Sequence, residues 1–275
     1  MARDVSWRVP KRRLLSAPVP EETRTYKPVS HKDLAKITVK AIKSAGFSLD
    51  VEEYYTAREG LVANARYTIK DIKDEDMQLE IGWQNSYDKS LSLKFAIGTR
   101  IMICANGCVS GNFGAFSKKH MSDVKTFAPD EMTKAIKTAA ETFKKMKVEK
   151  DAMKTYLISV GQQSQIVGRL FFKEILGSTQ LNIIRDEFKA PSHDYKCPDS
   201  LWETYQYVTF SMKEIHPRLW MDEHIRVHEF FLDFLVECDK MVVLKDKAMK
   251  WEEHSEPKLY IDPVDPQQLD LLKDA

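Results

Sequence analysis

Two stretches of this 275-residue chain gather the side chains from which a metal centre, a phosphate loop or an acid–base pair could be built. The first is RIMICANGCVSGNFGAFSKKH, from Arg100 to His120, with Cys104, Cys108, three glycines and a closing Lys118-Lys119-His120. Two thiols this close suggest zinc, but the residues between them argue for a turn. Asn106-Gly107 is favoured at the centre of a two-residue hairpin, because both positions of a type I′ turn need positive φ. Such a hairpin sets Ala105 against Cys108 and Cys104 against Val109. The thiols then point to opposite faces, and neither a metal nor a disulfide is expected to join them. Gly111 and Gly114 fall in a loop whose amides and lysines can contact phosphate. No βαβ unit surrounds them, so a dinucleotide loop is not expected.

The second stretch is MDEHIRVHEFF, where His224 and His228 lie four apart and share a helix face, as zinc ligands often do. A zinc-protease helix needs glutamate directly after the first histidine, and Ile225 stands there. A packing pair is the expectation. Asn85, Asp88, Arg100 and His120 form a third set: amide, carboxylate and guanidinium beside a basic loop, able to hold a phosphate or a partner's backbone. At a turn, Asn and Asp also bond their own backbone, a purely structural role. Ser90 and His120 lack the fixed spacing of a nucleophile and its base, so no catalytic residue, metal or cofactor is expected. Trp83, Tyr87, Trp202, Tyr205, Tyr207 and Phe210 could stack on bases. At strand and helix spacing such rings more often form core.

The elements that must position these groups follow from periodicity. Residues 1–29 hold four prolines and no period, which predicts an extended basic arm including Lys11, Arg12 and Arg13. Ser30 with Asp33 three residues on marks a helix start, and Gly46 ends that helix. Short alternating stretches follow: FSLDVEEYYTA and GLVANARYTI around Arg58-Glu59-Gly60, then MQLEIGWQNS and SLSLKFAIG around Tyr87-Asp88-Lys89, then RIMICA. They predict an antiparallel meander. After Pro129 the three- and four-residue steps of Met132, Ile136, Ala139, Phe143 and Met146 are helical, with further helices over 151–176, 178–188, 199–214 and 222–246. The expected class is α+β: an antiparallel meandering sheet in the N-terminal half followed by a helical C-terminal half. The expected organisation is an arm over 1–29, helix plus sheet over 30–128, helices packed on the sheet over 129–250, and an acidic tail over 251–275.

Hydrophobic content of 43% and charged content of 30% describe an ordinary globular chain. No apolar run approaches the roughly 20 residues that span a bilayer. The opening MARDVSWRVPKRR has no apolar stretch, and the four cysteines read as reduced thiols, so the expected location is the cytoplasm. The net charge of +1 conceals a gradient: residues 1–43 carry eleven Lys/Arg against four Asp/Glu, and residues 219–275 carry seven against fourteen. A basic head and acidic tail suit a polyanion-binding arm or pairing of the two ends.

WQNSYDKSLSLKFAIGTRIMICANG followed by KKH resembles the phage/plasmid-like proteins grouped as domain of unknown function 932. Their pattern is Asn-Ser-His-Asp-(Gly/Lys)-Ser, an apolar strand, Arg-apolar-apolar-Cys-x-Asn, and a basic-His pair. The matching positions are Asn85, Ser86, Asp88, Ser90, Arg100, Cys104, Asn106 and His120; Tyr87 departs from the usual histidine. FKAPSHDYKCPDSLWETYQYVT is similar to a second family segment, which places Trp202, Tyr205 and Thr209 on one helix. The resemblance spans about residues 30–235 and implies a mobile-element context without a reaction. With the basic arm, it suggests a phage or plasmid accessory protein, in the host-cell cytoplasm, that binds nucleic acid. Single-stranded DNA in replication or recombination is the foremost ligand. The expected contacts are Lys11, Arg12, Arg13, Asn85, Asp88, Arg100, Lys118, Lys119 and His120. The alternative is an interaction protein that inhibits a host factor such as a defence enzyme. Homo-oligomerisation is open in either case.

Overall fold

The computed structural model describes residues 7–102, 106–109, 116–121 and 124–252. They fall into one unit up to Asp233 and a second from Phe234 that is, among the described residues, the distal part of a single helix. The first unit carries the fold. It opens with strand β1 (Arg8–Val9) and helices α1 (Lys11–Leu15) and α2 (His31–Ser44). Strands β2 (Leu49–Ala57), β3 (Val62–Lys73), β4 (Met77–Ser86) and β5 (Leu93–Ile101) then form an antiparallel meander. Strands β6 (Asn106–Val109) and β7 (Phe116–Lys118) both pair with β5. Helices α3 (Val124–Lys137), α4 (Ala139–Thr155), α5 (Val160–Phe172), α6 (Ser178–Lys189), α7 (Leu201–Ser211) and α8 (Trp220–Glu252) follow. The class is α+β, sheet before helices.

Local chemistry explains most of these elements. The Ser30 hydroxyl accepts the Asp33 N–H at 2.9 Å, which caps α2. Leu34, Ala35, Thr38, Ala41 and Ile42 are its buried stripe, and Gly46 with φ +81° leaves it. The β2–β3 turn has Arg58, Glu59 and Gly60 at φ 51°, 56° and 97°. A Cβ at position 60 would also lie 2.9 Å from that of Ala17, so glycine is required twice over. Along β4, Leu79, Ile81 and Trp83 alternate with Glu80, Gly82 and Gln84, and both sets are buried. β4 is therefore the central strand, with a polar as well as an apolar face inside the protein.

Four expectations are corrected. Within the expected arm over 1–29, the described residues 7–29 are not free and extended: Arg8 and Val9 pair with Tyr55 and Tyr54, and residues 11–15 are helical. Leu14, Tyr26 and Val29 are buried, and these apolar anchors hold the segment down despite its prolines. Asn106-Gly107 is not the turn centre, since both residues lie in β6 opposite Ile101 and Arg100. The reason is tertiary. Ile101 pairs with Met77, and the Met102 N–H bonds to the Asp76 carbonyl at 2.7 Å, so β5 follows β4 to its end before turning. Cys104, Ala105, Gly111 and Gly114 lie outside the described residues, and Cys108 stands opposite Thr99. The helical run through residue 146 is broken at Thr138 into α3 and α4. Residues 151–176 are likewise not one helix: α4 ends at Thr155, Leu157 bridges to Ser200, and Ser159 with Gln162 caps α5. The acidic segment beyond Glu252 lies outside the described residues.

Candidate nucleic-acid interface

The Asn85–Ser90 turn closes the end of β4 and holds the start of α2. Asn85 is fully buried, and its Nδ2 donates to the Val29 carbonyl at 2.8 Å and to His31 Nδ1 at 3.0 Å. His31 Nε2 donates to the Gly60 carbonyl at 2.9 Å, so one neutral tautomer satisfies both ring nitrogens. The Tyr87 hydroxyl accepts the His31 backbone N–H at 2.7 Å, and the two rings stack with centroids 3.8 Å apart. Burial pulls the His31 pKa down to about 4. Tyr26 donates toward the Ser86 and Tyr87 carbonyls, each at 3.3 Å.

Asp88 accepts the Ser90 N–H at 3.0 Å and Arg58 Nη1 at 2.7 Å. Burial alone would raise its pKa, but these hydrogen bonds hold it below the usual carboxylate range. His120 is buried against Tyr26 with ring centroids 5.5 Å apart, and burial lowers its pKa. Asn85, Asp88 and His120 thus meet around His31, Tyr87 and Tyr26. They build a clamp. Asn85 and His120 turn inward rather than toward a ligand, which corrects the expectation of a binding rim.

Arg100 is not part of that group. It lies opposite Gln78 on the other face of the sheet, where its Nη1 donates to Glu53 Oε2 at 3.0 Å. The Arg66 guanidinium on the same face sits 4.4 Å from the Tyr55 ring centroid and 4.2 Å from that of Trp220. Asn64 and Gln84 donate to the Pro217 carbonyl, which covers this end of the face. Burial pushes Glu80 up to about 7, with Arg66 and Arg100 opposing the shift. The aromatic platform is also interior. Trp83, Tyr87, Trp202, Tyr205 and Tyr207 are all buried, and Trp202 stacks on Tyr205 at 5.4 Å. His228 bonds to Tyr205 and to Glu149 at 3.3 and 3.1 Å, and His224 tilts against Trp220: a packing pair.

The clamp presents α2 with its charged side outward. Lys32, Lys36, Lys40 and Lys43 are all exposed and follow at steps of four, four and three, a single stripe roughly 16 Å long at 1.5 Å per residue. None of the four makes an ion pair among the described residues. Lys11 and Leu15 of α1 face Lys36, Val39, Lys40 and Lys43 across a groove of about 540 Å³. Lys11 also pairs with Glu52, and its neighbours Arg12 and Arg13 are exposed in the last turn of α1. Lys118 and Lys119 stand elsewhere: β7 pairs with the outer side of β5, at the opposite edge of the sheet from α1 and β1. In the sequence of α2 the apolar stripe sets the helical pattern, and the lysines between its members read as ordinary solvated surface. Their spacing was the available signal.

Comparison with known proteins agrees with the motif carried by the clamp. A family model described as domain of unknown function (DUF932) matches residues 22–227, from just before Tyr26 into α8. No curated protein and no solved structure matches the chain. The matched span takes in the clamp, the lysine stripe and strands β2 to β7, so the chain belongs to the family of domain of unknown function 932.

Proposed function

We propose that this chain binds the sugar-phosphate backbone of nucleic acid along the α1–α2 groove, with single-stranded DNA as the foremost ligand. The observation that carries the reading is the stripe of four exposed lysines on α2, three of which, Lys36, Lys40 and Lys43, line the groove with Lys11. Phosphate contacts of this kind position a strand without reading its sequence. The site is a local patch on a nearly neutral chain, so binding depends on ionic strength at short range. A mobile-element role in replication or recombination remains the context suggested by the family motif. The test is fluorescence anisotropy of labelled single-stranded DNA at several salt concentrations. Intact protein should bind at low salt, and the Lys32/Lys36/Lys40/Lys43→Ala variant should lose most of that binding while melting normally. Absence of binding by intact protein at low salt would sink the reading and leave the inhibitor of a host factor as the working alternative.

A further inference from the structure

The turn from α5 to α6 carries an apolar surface that shares no residue with the α1–α2 groove. Phe172, the last residue of α5, stands 87% exposed, and Phe171 beside it and Leu219 ahead of α8 are exposed as well. All three line a groove of about 600 Å³ whose lining also includes the buried Ile175 and Leu176. Together they leave on the order of 300 Å² of apolar side chain in water, the scale at which a patch on a single chain is often an interaction site. The turn that presents it is fixed from below. Arg226 donates from Nη2 to the Lys173 carbonyl at 2.7 Å and from Nη1 to the Glu174 carbonyl at 3.1 Å. Glu223 holds that guanidinium at 3.1 Å, and the Ile175 N–H bonds to the Leu170 carbonyl at 3.0 Å to close the helix end. A surface preorganised in this way loses little freedom on contact.

The charges at the rim select the occupant. Glu223 is already paired with Arg226, while Lys173 and Glu174 are adjacent, exposed and opposite in sign, with no ion pair among the described residues. Glu174 takes a φ of 54° at the helix exit, where glycine is the usual residue, so a carboxylate is kept at the rim against the backbone preference. A strongly acidic or strongly basic partner meets no matching field on such a balanced rim. A second copy does. Under a twofold axis Lys173 of each copy faces Glu174 of the other, so the pair is complementary to itself. Shape agrees with charge: the projecting Phe172 ring and the groove lie side by side on one patch, so each copy offers the ring that the other's groove accepts. We propose that this chain forms a twofold dimer through the α5–α6 turn, with Phe172 as the central anchor. The contact is independent of the nucleic-acid reading.

The test is sedimentation velocity of the full chain from about 1 to about 100 μM. The intact chain should pass from monomer to dimer across that range. Phe172→Asp should raise the dissociation constant at least about thirtyfold, as loss of a central aromatic anchor does. At the dilute end this variant and the intact chain should melt alike, because the ring is exposed in the single chain. Lys173→Glu should weaken the dimer by setting like charges across the axis, and Lys173→Glu/Glu174→Lys should restore it by reversing both partners at once. A monomer at every concentration, a dimer indifferent to Phe172→Asp, or a double variant no tighter than Lys173→Glu would each overturn the proposal. Should Phe172→Asp fail to fold, the charge reversal decides by itself.

Discussion

His31 shows how one buried side chain ties a family motif to a helix. Both ring nitrogens are committed, Nε2 to the Gly60 carbonyl and Nδ1 to the Asn85 amide. Protonation would set an N–H against that amide donor, in keeping with a pKa lowered by burial to about 4. Asn85→Ala leaves the Val29 carbonyl and His31 Nδ1 without their donor. It should cost about 1–3 kcal/mol in urea denaturation. Glu80 works in the opposite sense. Its folded pKa, pushed up to about 7 by burial, lies above the unfolded value near 4.5, so the folded chain keeps a proton that the unfolded chain releases. Stability from this group is therefore present below about pH 4.5 and lost as pH rises through 7. Glu80→Gln removes the titration and should change little at pH 5 while stabilising at pH 8, by on the order of 3 kcal/mol. Equal effects at the two pH values would mean that Glu80 is not desolvated in the fold.

Where an element is set by its own residues, the sequence shows it. The Ser30 cap, the Gly46 exit and the Arg58-Glu59-Gly60 turn are all local, and each stands where the pattern places it. The Asn106-Gly107 turn does not, because β5 takes its length from β4 and from the Asp76–Met102 hydrogen bond, partners far back in the chain. Nor does alternation along β4 reveal that its polar side is buried. Glu80, Gly82 and Gln84 read as a wet face until the segment Pro217–Trp220 is seen to cover it. Gly82 makes that cover possible. A Cβ there would lie 2.8 Å from the tip of the fully buried Trp220 ring. Gly82→Ala should therefore destabilise the fold by about 1–3 kcal/mol through overpacking. Calorimetry should record a melting temperature lower by several degrees. An unchanged melting temperature would show that Trp220 moves freely over β4.

Across the whole molecule, what matters is where charge stands rather than how much there is. The net charge of +1 conceals two groups of lysines on different elements, α2 and the β7 end. α1 packs on β2, α2 packs on both α1 and α3, and Lys118 and Lys119 lie at or just beyond β7, outside β5. From β2 to β7 is four strand spacings, about 19 Å. The sequence displayed both groups of lysines, but only the fold shows that Lys118 and Lys119 do not line the α1–α2 groove. Of the third contact set, Asn85 bonds to His31 at the start of α2, Asp88 pairs with Arg58, and His120 packs on Tyr26. If the groove is the phosphate path, the two groups should separate in salt titrations of single-stranded DNA binding. Replacing Lys32, Lys36, Lys40 and Lys43 by Ala should flatten the plot of log affinity against log salt by about 3, at roughly 0.7 per lost contact. Replacing Lys118 and Lys119 should leave the slope as it is in the intact chain. Thermal melts of the α2 variant should match the intact chain, since exposed lysines add little to stability. A larger loss of slope in the Lys118/Lys119 variant would move the path to the β7 edge and strip α2 of its role.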